Sequence, residues 1–425
     1  MRSIRRRVLW MSVLATLMVG TAAVPSRGVS SSSMAGSETS AVQTYRVQGV
    51  STKETRTEVA RTGAAIEAIG PDFVLVRALA YEIAAIQSLG YQVSVLPQDD
   101  FPSEDARFHN YDEMVADVTA VAAAHPDIVS MFSIGKTYQG RDIWAAKISD
   151  NVAIDEDEPE VLFDAEHHAR EHLTVEMTLF ILHLYADNYG QVQQITKLVD
   201  TREIFVIFMV NADGAEYDIK NDFYHYWRKN RQPNPPTKWI GTDNNRNYDY
   251  RWDCCGGSSD DPASDTYHGA APFSTPESAA LAAFVDSRVI GGVQQITSHI
   301  SYHTFGELIL WPYGYTFEDI PPDMDPVDHD VFVTMGEAMA ATTCKPECYF
   351  PEQSSDLYIT DGTTTDWMYG AHRIFSFTFE IYPACCDFYV DDEVIGQQTK
   401  RLRASVLYLV RHADCPYEVI GQSCS

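Results

Sequence analysis

The chain has 425 residues, 45% of them hydrophobic, and a formal net charge of -29. This length and hydrophobic share predict one domain of about 300 residues with a large core plus a smaller domain, and they exclude a disordered or fibrous protein. The negative charge argues against nucleic acid and anionic membranes as partners, because both would repel the chain.

Residues 1–25 have the pattern of a cleaved secretory signal. Four arginines within the first seven residues precede an apolar stretch over residues 8–19, and small residues follow around Ala22. Such a segment directs a protein out of the cell and is then removed. Since no other segment has the length of a membrane span, we predict a secreted, extracellular protein without a membrane anchor.

The eight cysteines suit an oxidising compartment, where disulfide bonds persist. Cys254–Cys255 and Cys385–Cys386 are adjacent pairs, and we expect the members of each pair to bond to different partners because a vicinal disulfide is strained. Cys415 and Cys424 could close a short C-terminal loop. Eight cysteines allow too many connectivities for their spacing to decide the rest.

Residues 26–99 predict a small, open-faced α+β domain, because strand patterns alternate there with helical ones. The predicted strands are Thr44–Val50, Phe73–Leu79 and Gln92–Leu96, and the predicted helices are Lys53–Ile69 and Tyr81–Leu89. The polar, proline-flanked run over residues 97–102 predicts a linker and a cleavage point.

Residues 100–425 predict a mixed sheet covered by helices, because helix patterns alternate with short apolar strands. The predicted strands are Val129–Ile134, Ile143–Ile148, Val161–Ala165, Ile204–Val210, Leu308–Trp311 and Ile374–Ile381. The segment over residues 218–274 is rich in Asn, Gly, Pro and Asp and is longer than a structural connection requires. We therefore expect it to carry functional residues.

The acidic run over residues 155–160 has two interpretations. The simpler one is solubility outside the cell. The other is a calcium site, because carboxylate oxygens are hard ligands that hold Ca²⁺ on a loop. In that case the candidate calcium ligands are Asp155, Glu156, Glu160 and Glu203.

The string His168-Ala169-Arg170-Glu171 lies between a predicted buried strand and a predicted amphipathic helix over residues 173–189. His168, Glu171 and the distant His303 can give zinc three protein ligands and leave one position open for water. An open position indicates catalysis, most simply hydrolysis. His172 permits a second scheme, in which both histidines of this string bind zinc from one helix and the glutamate is the base.

The run over residues 374–380 alternates in character, with phenylalanines on one face and Ser376, Thr378 and Glu380 on the other. An ionised glutamate in such an apolar setting is costly without a partner. A buried ion pair would supply one. A water molecule beside zinc would supply another, with Glu380 as general base.

Three arginines stand out in this acidic chain. Arg228 and Arg231 belong to Trp-Arg-Lys-Asn-Arg, and Arg246 belongs to Asp-Asn-Asn-Arg-Asn. Guanidinium forks suit a carboxylate or a developing oxyanion. Surface salt bridges are the usual role of an arginine, and we expect that role for Lys229 and Arg231.

These strings resemble the zinc carboxypeptidases of the carboxypeptidase A type, most closely the bacterial carboxypeptidase T branch. The similarity runs from about residue 100 to the C-terminus. It rests on His-Ala-Arg-Glu, Trp-Arg-Lys-Asn-Arg, Asn-Arg-Asn at 245–247, Trp-Pro-Tyr-Gly-Tyr at 311–315 and Phe-Thr-Phe-Glu at 377–380. The resemblance implies an α/β fold with a mixed, mainly parallel, eight-stranded twisted sheet flanked by helices.

The resemblance also implies one catalytic Zn²⁺ bound by His168, Glu171 and His303, which leaves His172 without a metal role. Glu380 is then the general base, and Arg228 polarises the carbonyl of the bond that is cut.

By the same resemblance, Asn245 and Arg246 bind the terminal carboxylate of the substrate. Tyr358 closes over the bound residue. An enzyme that removes terminal residues needs such a cationic fork to recognise a free carboxylate.

Three positions bear on specificity. Thr365, one position before Asp366, stands where an acid marks preference for basic C-terminal residues in the pancreatic enzymes. Asp356 matches an acid of the carboxypeptidase T branch, but Thr363 stands where that branch usually has a second one. Because the second acid is missing, we predict a mainly apolar or aromatic preference, with basic residues accepted less well.

The sequence thus predicts a secreted precursor of a zinc carboxypeptidase. Residues 26–99 resemble the inhibitory propeptides of the family in size and position. We expect a protease to cleave near Asp100 and release a monomer that acts on peptide and protein C-termini. A permanent accessory domain is the alternative for residues 26–99. Two other functions stay open, a cell-wall peptidase acting on γ-D-glutamyl links and a catalytically dead peptide-binding protein.

Overall fold

The structure is a computed structural model that describes residues 43–69, 72–78, 80–95, 101–385 and 387–424. The chain divides into two compact units, Met1–Gln98 and Asp99–Ser425. The predicted signal over residues 1–25 lies outside the described residues, as do Cys386 and most of the predicted linker. None of the helices in the described part combines the length and apolarity that crossing a bilayer requires.

The first unit is a four-stranded antiparallel sheet with two helices. In chain order it consists of β1 Gln43–Gln48, α1 Lys53–Ala60, β2 Ala65–Ile69, β3 Phe73–Ala78, α2 Ala80–Ser88 and β4 Gln92–Val95. The strand order is β2-β3-β1-β4. Val47, Val59, Val76 and Ile86 are among the fully buried side chains of its core.

The prediction of one helix over Lys53–Ile69 is wrong in its second half. The helix α1 ends at Ala60, and Ala65–Ile69 forms β2. Gly63 lies between them with a φ of 102°, a conformation that glycine adopts readily and that no α-helix contains. The chain turns there and pairs with β3 instead of continuing the helix.

The second unit is built on an eight-stranded mixed sheet with the strand order β13-β12-β14-β11-β7-β8-β6-β5. Four of its seven neighbouring pairs are parallel. Its strands are β5 Val129–Lys136, β6 Asp142–Ile148, β7 Glu160–Ala165, β8 Glu203–Ile207, β11 Ile296–Thr304, β12 Leu308–Trp311, β13 Phe350–Gln353 and β14 Phe375–Ile381. A small separate hairpin consists of β9 Val289–Ile290 and β10 Val293–Gln294.

The helices of the second unit cover this sheet. They are α3 Tyr111–Ala124, α4 Leu173–Ala186, α5 Gln193–Val199, α6 Ala212–Asp218, α7 Pro276–Ser287, α8 Pro326–Thr342, α9 Ser354–Leu357, α10 Thr364–His372, α11 Ile395–Arg401 and α12 Arg403–Arg411. The helix α4 is not amphipathic as predicted, because nearly all of its side chains are buried. It packs against β7 and β11 and also against α3 and α11, so protein surrounds it.

Three parallel strands bring the candidate site residues to one edge of the sheet. The strands β7, β11 and β14 are neighbours, and their carboxyl ends point the same way. In the register between β11 and β14, His303 lies opposite Glu380. The long segment after α6 contains no α-helix or strand within its described residues 219–275, only a short 3₁₀ turn over Asn244–Arg246 and two isolated bridges.

Candidate active site

Three buried side chains converge at the carboxyl ends of β7 and β11. Nδ1 of His168 lies 2.8 Å from Oε1 of Glu171, and Nδ1 of His303 lies 2.9 Å from Oε2 of the same carboxylate. The two Nδ1 atoms are 3.1 Å apart. Zinc takes nitrogen and oxygen ligands at about 2.0–2.1 Å, so two tetrahedral ligands stand about 3.3 Å from one another. The donor set and its spacing therefore fit one zinc ion.

The protonation of these groups also suits a cation. Burial by itself would raise the pKa of Glu171, but the neighbouring His168 and His303 lower it, so the carboxyl stays ionised. Burial lowers the pKa of His303, which keeps its imidazole neutral. A neutral imidazole and an ionised carboxylate are the forms that bind metal.

Backbone contacts fix the turn that carries the first two of these groups. Glu166, the residue after β7, has a φ of 61°, so the chain leaves the sheet sharply. The backbone N–H of Ala169 donates to the carbonyl of Arg228, 3.1 Å away. The side chain of Asn211 donates from Nδ2 to the carbonyl of His167, also at 3.1 Å. The turn is thus held by the long segment and by the start of α6.

A buried aspartate that sequence reasoning missed supports this cluster. Nε2 of His168 lies 3.1 Å from Oδ1 of Asp243, while Arg228 donates from Nε and Nη2 to Oδ2 at 3.0 and 2.8 Å. Burial would raise the pKa of Asp243, but Arg228 and His168 hold it well below its usual range. The only available signal was its position two residues before Asn245 in a polar string.

The structure does not bring His172 into the cluster. Its Nε2 lies 2.9 Å from Oδ2 of Asp218, and its Nδ1 faces Glu166. The two-histidine scheme on one helix is therefore wrong, because His172 is turned toward other carboxylates. His167 also points elsewhere, with its Nε2 2.9 Å from the hydroxyl of Tyr248.

A cavity of about 380 Å³ opens beside the three converging groups. Its floor includes Glu380, whose carboxylate makes no hydrogen bond or salt bridge to any described residue. Burial, and then the nearby Glu171, raise the pKa of Glu380 well above its usual value, while Arg228 and Arg246 oppose the rise. The lining residues are His168, Arg170, Glu171, Arg228, Asn245, Arg246, Thr304, Phe305, Leu310, Ser354, Leu357, Tyr358, Thr360, Thr363, Thr365, Thr378, Glu380 and Phe388.

Asn245 and Arg246 reach this cavity from the 3₁₀ turn in the long segment. Oδ1 of Asn245 accepts from the backbone N–H of Thr364 at 2.9 Å. Arg246 donates from Nε to the carbonyl of Gly257 and from Nη1 to the carbonyl of Asn245, while its Nη2 has no hydrogen-bond partner in the described part of the chain. The guanidinium is thus buried and fixed, with one nitrogen left for a ligand.

A second missed aspartate holds the loop behind Arg246. Asp361 accepts from the backbone N–H groups of Cys255 and Gly257 and from the hydroxyl of Ser258. A Cβ atom on Gly257 would lie 2.4 Å from Thr360, so only glycine allows this approach. The carbonyl that fixes Arg246 belongs to this loop.

The predicted substrate-binding residues of the last third of the chain divide into two groups. Tyr358 and Thr365 line the cavity; the tyrosine is 53% exposed, and the buried threonine hydroxyl is 2.6 Å from that of Thr378. Asp356 is exposed on α9 and does not line the cavity. The cavity lining therefore gives no support to its predicted role as a binding residue, which stays a prediction.

The structure does not support calcium at the predicted ligands. Asp155, Glu160 and Glu203 do lie together, but the guanidinium of Arg288 donates to the first two and Lys147 donates to Glu203 at 2.6 Å. These two cations already pair with the three carboxylates. Glu156 belongs to a different, partly exposed group with Asp150 and Glu158.

The disulfide expectations are corrected in part. Cys254 and Cys255 bond to each other, contrary to prediction, because the chain turns tightly between Asp253 and Gly256, which both have positive φ. Cys415 bonds to Cys424 as expected. Cys344–Cys348 is a further bridge, and Cys385 is also disulfide-bonded.

Comparison with known proteins gives a consistent result. The family model described as zinc carboxypeptidase matches residues 114–405. A zinc carboxypeptidase of Saccharothrix mutabilis subsp. capreolus is 45% identical over 393 residues, which are 87% of this chain and 89% of that protein. Carboxypeptidase A1 of Rattus norvegicus is 32% identical over 297 residues, 69% of this chain and 67% of that protein.

A solved structure agrees with these relatives. Bovine thrombin-activatable fibrinolysis inhibitor, in complex with tick carboxypeptidase inhibitor, superposes with a TM-score of 0.63 at 25% identity and covers 72% of this chain and 98% of its own. The predicted resemblance is confirmed at the level of family and fold, and the family implies Zn²⁺ as the metal. The chain therefore belongs to the zinc carboxypeptidase family, and it is a metallocarboxypeptidase.

Proposed function

We propose that this chain is secreted as an inactive precursor and, once cleaved near Asp100, removes single residues from peptide C-termini as a monomer. The signal-like pattern of residues 1–25 supports secretion. The division of the chain between Gln98 and Asp99 supports a cleavable N-terminal unit over residues 26–99. The catalytic domain is then the unit that begins near residue 100.

The metal ligands in this proposal are His168, Glu171 and His303. When bound, zinc would polarise a carbonyl oxygen and make a water molecule more acidic. The donor set supports this assignment, since two imidazoles and one carboxylate leave a fourth position open. Asp243 holds the first imidazole in the orientation that points its Nδ1 at the cluster.

Glu380 is the general base of the proposed reaction. Its carboxylate takes a proton from the attacking water and later gives that proton to the leaving nitrogen. Two features support the role. The carboxylate faces the cavity, and it forms no hydrogen bond or salt bridge with any described residue. A buried ion pair, the other explanation for a glutamate at this position, has no support in these contacts.

Four side chains bind the substrate in this proposal. Arg228 stabilises the oxygen of the cut carbonyl as negative charge develops there, and Asp243 fixes its guanidinium. Asn245 and Arg246 bind the terminal carboxylate. Tyr358, exposed at the cavity mouth, closes over the bound residue.

The cavity wall indicates which terminal residues are accepted. Leu310 and the hydroxyl-bearing Thr363, Thr365 and Thr378 line it, and its carboxylates are those assigned to metal binding and catalysis. No acid is left among the lining residues to pair with a lysine or arginine side chain. We therefore expect apolar and aromatic residues to be preferred, with basic residues accepted less well.

One observation carries this proposal: a single cavity contains Arg246, Glu380 and the metal cluster. The test uses the cleaved enzyme and peptides that differ only in the C-terminal residue, each as the free acid and as the amide. We expect release of one amino acid from the free acids, fastest for aromatic residues, and at least about 100-fold slower cleavage of the amides. Equal rates for acid and amide would refute the binding of a terminal carboxylate.

A further inference from the structure

A chain of buried polar groups continues behind the metal cluster along one face of β11. His299, Ser301 and His303 alternate along this strand and therefore point to the same side of the sheet. Asp164 of β7 lies opposite Ser301 in the strand register. None of these four side chains is more than 1% exposed. The roles proposed above use only His303.

The hydrogen bonds along this face have a defined direction. Nδ1 of His303 faces the metal cluster, so a neutral ring that binds metal through Nδ1 carries its proton on Nε2. Oγ of Ser301 lies 3.3 Å from that Nε2 and 2.6 Å from Oδ1 of Asp164. The amide Nδ2 of Asn245 also lies 3.3 Å from Nε2, but it is a donor and cannot accept the proton of the ring. A hydroxyl has one proton to donate, and the carboxylate can only accept. The hydroxyl proton therefore goes to Asp164, and the hydroxyl oxygen accepts from His303.

The carboxylate is itself fixed from the other side. Oδ2 of Asp164 lies 2.8 Å from Nε2 of His299, and Nδ1 of that ring lies 2.7 Å from the hydroxyl of Ser376. Since an ionised carboxylate can only accept, His299 donates from Nε2 to Asp164. The aspartate cannot turn away from Ser301 without breaking this second hydrogen bond.

We propose that Asp164, acting through the hydroxyl of Ser301, is a positioning residue for the zinc ligand His303. The pair fixes the ring tautomer and the ring orientation and makes Nδ1 a stronger ligand. The arrangement parallels that of His168, which contacts its own buried aspartate, Asp243, directly. The inference rests on the proposed metal ligands and adds to them the groups that set their affinity.

The test measures zinc affinity of the full-length chain by competition with a chromophoric chelator. Ser301→Ala removes the hydroxyl, and we expect about 10- to 100-fold weaker zinc binding. Ser301→Thr keeps a hydroxyl at the same position and should bind zinc nearly as tightly as the unaltered protein. Substitution of cobalt for zinc gives a second readout, because its visible spectrum reports ligand geometry. We expect the spectrum to shift in Ser301→Ala.

The matched control is Ser298→Ala. Ser298 is a fully buried serine on the same strand, and its hydroxyl has no partner in the described part of the chain. Its removal should leave the zinc affinity and the cobalt spectrum unchanged. The melting temperature of each metal-free variant shows whether a loss of affinity comes from general destabilisation.

A double-mutant cycle tests whether the aspartate acts through the serine. Asp164→Asn should weaken zinc binding. Adding Ser301→Ala should lower the zinc affinity little further, since both changes break the same series of hydrogen bonds from Asp164 through Ser301 to His303. Additive losses, or zinc binding by Ser301→Ala within about twofold of normal, would overturn the proposal. If Asp164→Asn does not fold, the comparison of the alanine, threonine and Ser298 variants still decides it.

A wrong assignment of the zinc ligands would give a different result from a wrong positioning role. His303→Ala should lose zinc almost entirely. Normal zinc binding by His303→Ala would refute the proposed ligand set. A loss of zinc in that variant together with normal binding in Ser301→Ala would refute the positioning role alone.

Discussion

Three groups of described residues in the second unit each bring three possible metal-ligand side chains together, and two of these clusters differ in whether a metal fits. His168, Glu171 and His303 form the first, and Asp155, Glu160 and Glu203 form the second. In both, one ligand atom from each residue lies within 4.8 Å of the others. Proximity of ligand atoms is therefore not enough to predict a metal site.

The difference lies in what else reaches each cluster. Arg288 donates to Asp155 and Glu160, and Lys147 donates to Glu203, so each acid already has a cation of the protein as its partner. No arginine or lysine of the described residues forms a salt bridge or hydrogen bond with the three residues of the first cluster. Carboxylates attract any cation. An imidazole nitrogen offers a lone pair, which binds a zinc ion better than it binds a guanidinium group.

The largest effect is expected when one imidazole is removed from the first cluster, and it is compared with the removal of one acid from the second. We expect His303→Ala to lose both bound zinc and peptide hydrolysis, down to the background rate. Glu203→Gln, which keeps the side-chain shape in the other cluster, should retain both. Metal analysis after gel filtration and release of a free amino acid measure the two effects. Loss of zinc from Glu203→Gln would show that the clusters are not distinct.

A second test separates metal binding from catalysis within the first region. Glu380→Gln keeps the size of the side chain but cannot accept the proton of water. We expect kcat/KM to fall by about 100- to 10,000-fold, while zinc content stays at one ion for each chain. A variant with near-normal turnover would refute the assignment of the base. A variant without zinc would place Glu380 among the ligands.

The second cluster can be tested by removing its cation. Arg288→Met leaves the buried Glu160 without its partner, and we expect the free energy of unfolding to fall by about 3–5 kcal/mol. Zinc content and kcat/KM of the folded fraction should not change. Urea unfolding measures the loss, and Arg288→Lys, which keeps a charge, should lose less. An unfolding midpoint like that of the unaltered protein would mean that the acids do not depend on Arg288.

The smallest effect is expected at the acid that the structure directs away from the cavity. Asp356→Asn should change kcat/KM for a C-terminal arginine by no more than a few-fold, because exposed charges interact weakly. Thr365→Asp is the matched variant inside the cavity, and it should raise the arginine-to-phenylalanine ratio of kcat/KM by about tenfold. A larger effect at Asp356 would restore its predicted role in binding.

Much of the fold followed from local patterns. The apolar strands from Val129 to Ile381 that were predicted all exist. Strands buried on both faces, such as β7 and β8, appear in the sequence as short apolar runs. The strand β11 was not delimited, because its polar face carries His299, Ser301 and His303 and hides the apolar pattern. The strand β2 was predicted as helix, because Gly63 is the only residue that marks the end of α1 and the helical pattern otherwise continues past it.

The site residues also divide into those that local sequence patterns predicted and those that they missed. His168, Glu171, Arg228, Arg246 and Glu380 were found because each belongs to a string with specific chemistry, and the fold brings them to one cavity. The two missed aspartates, Asp243 and Asp361, act by holding other residues. Nothing in their local sequence distinguishes them from the many acids of this chain.

By itself, the sequence determined the family, the mixed sheet and the candidate side chains for binding zinc and peptide. These depend on residue types at short spacings, which local chemistry constrains. Only the tertiary structure decided which acids meet a cation of the protein and which remain free for a ligand. That outcome depends on contacts between residues far apart in the chain, such as Glu160 with Arg288 or Asp164 with Ser301, which no local pattern encodes.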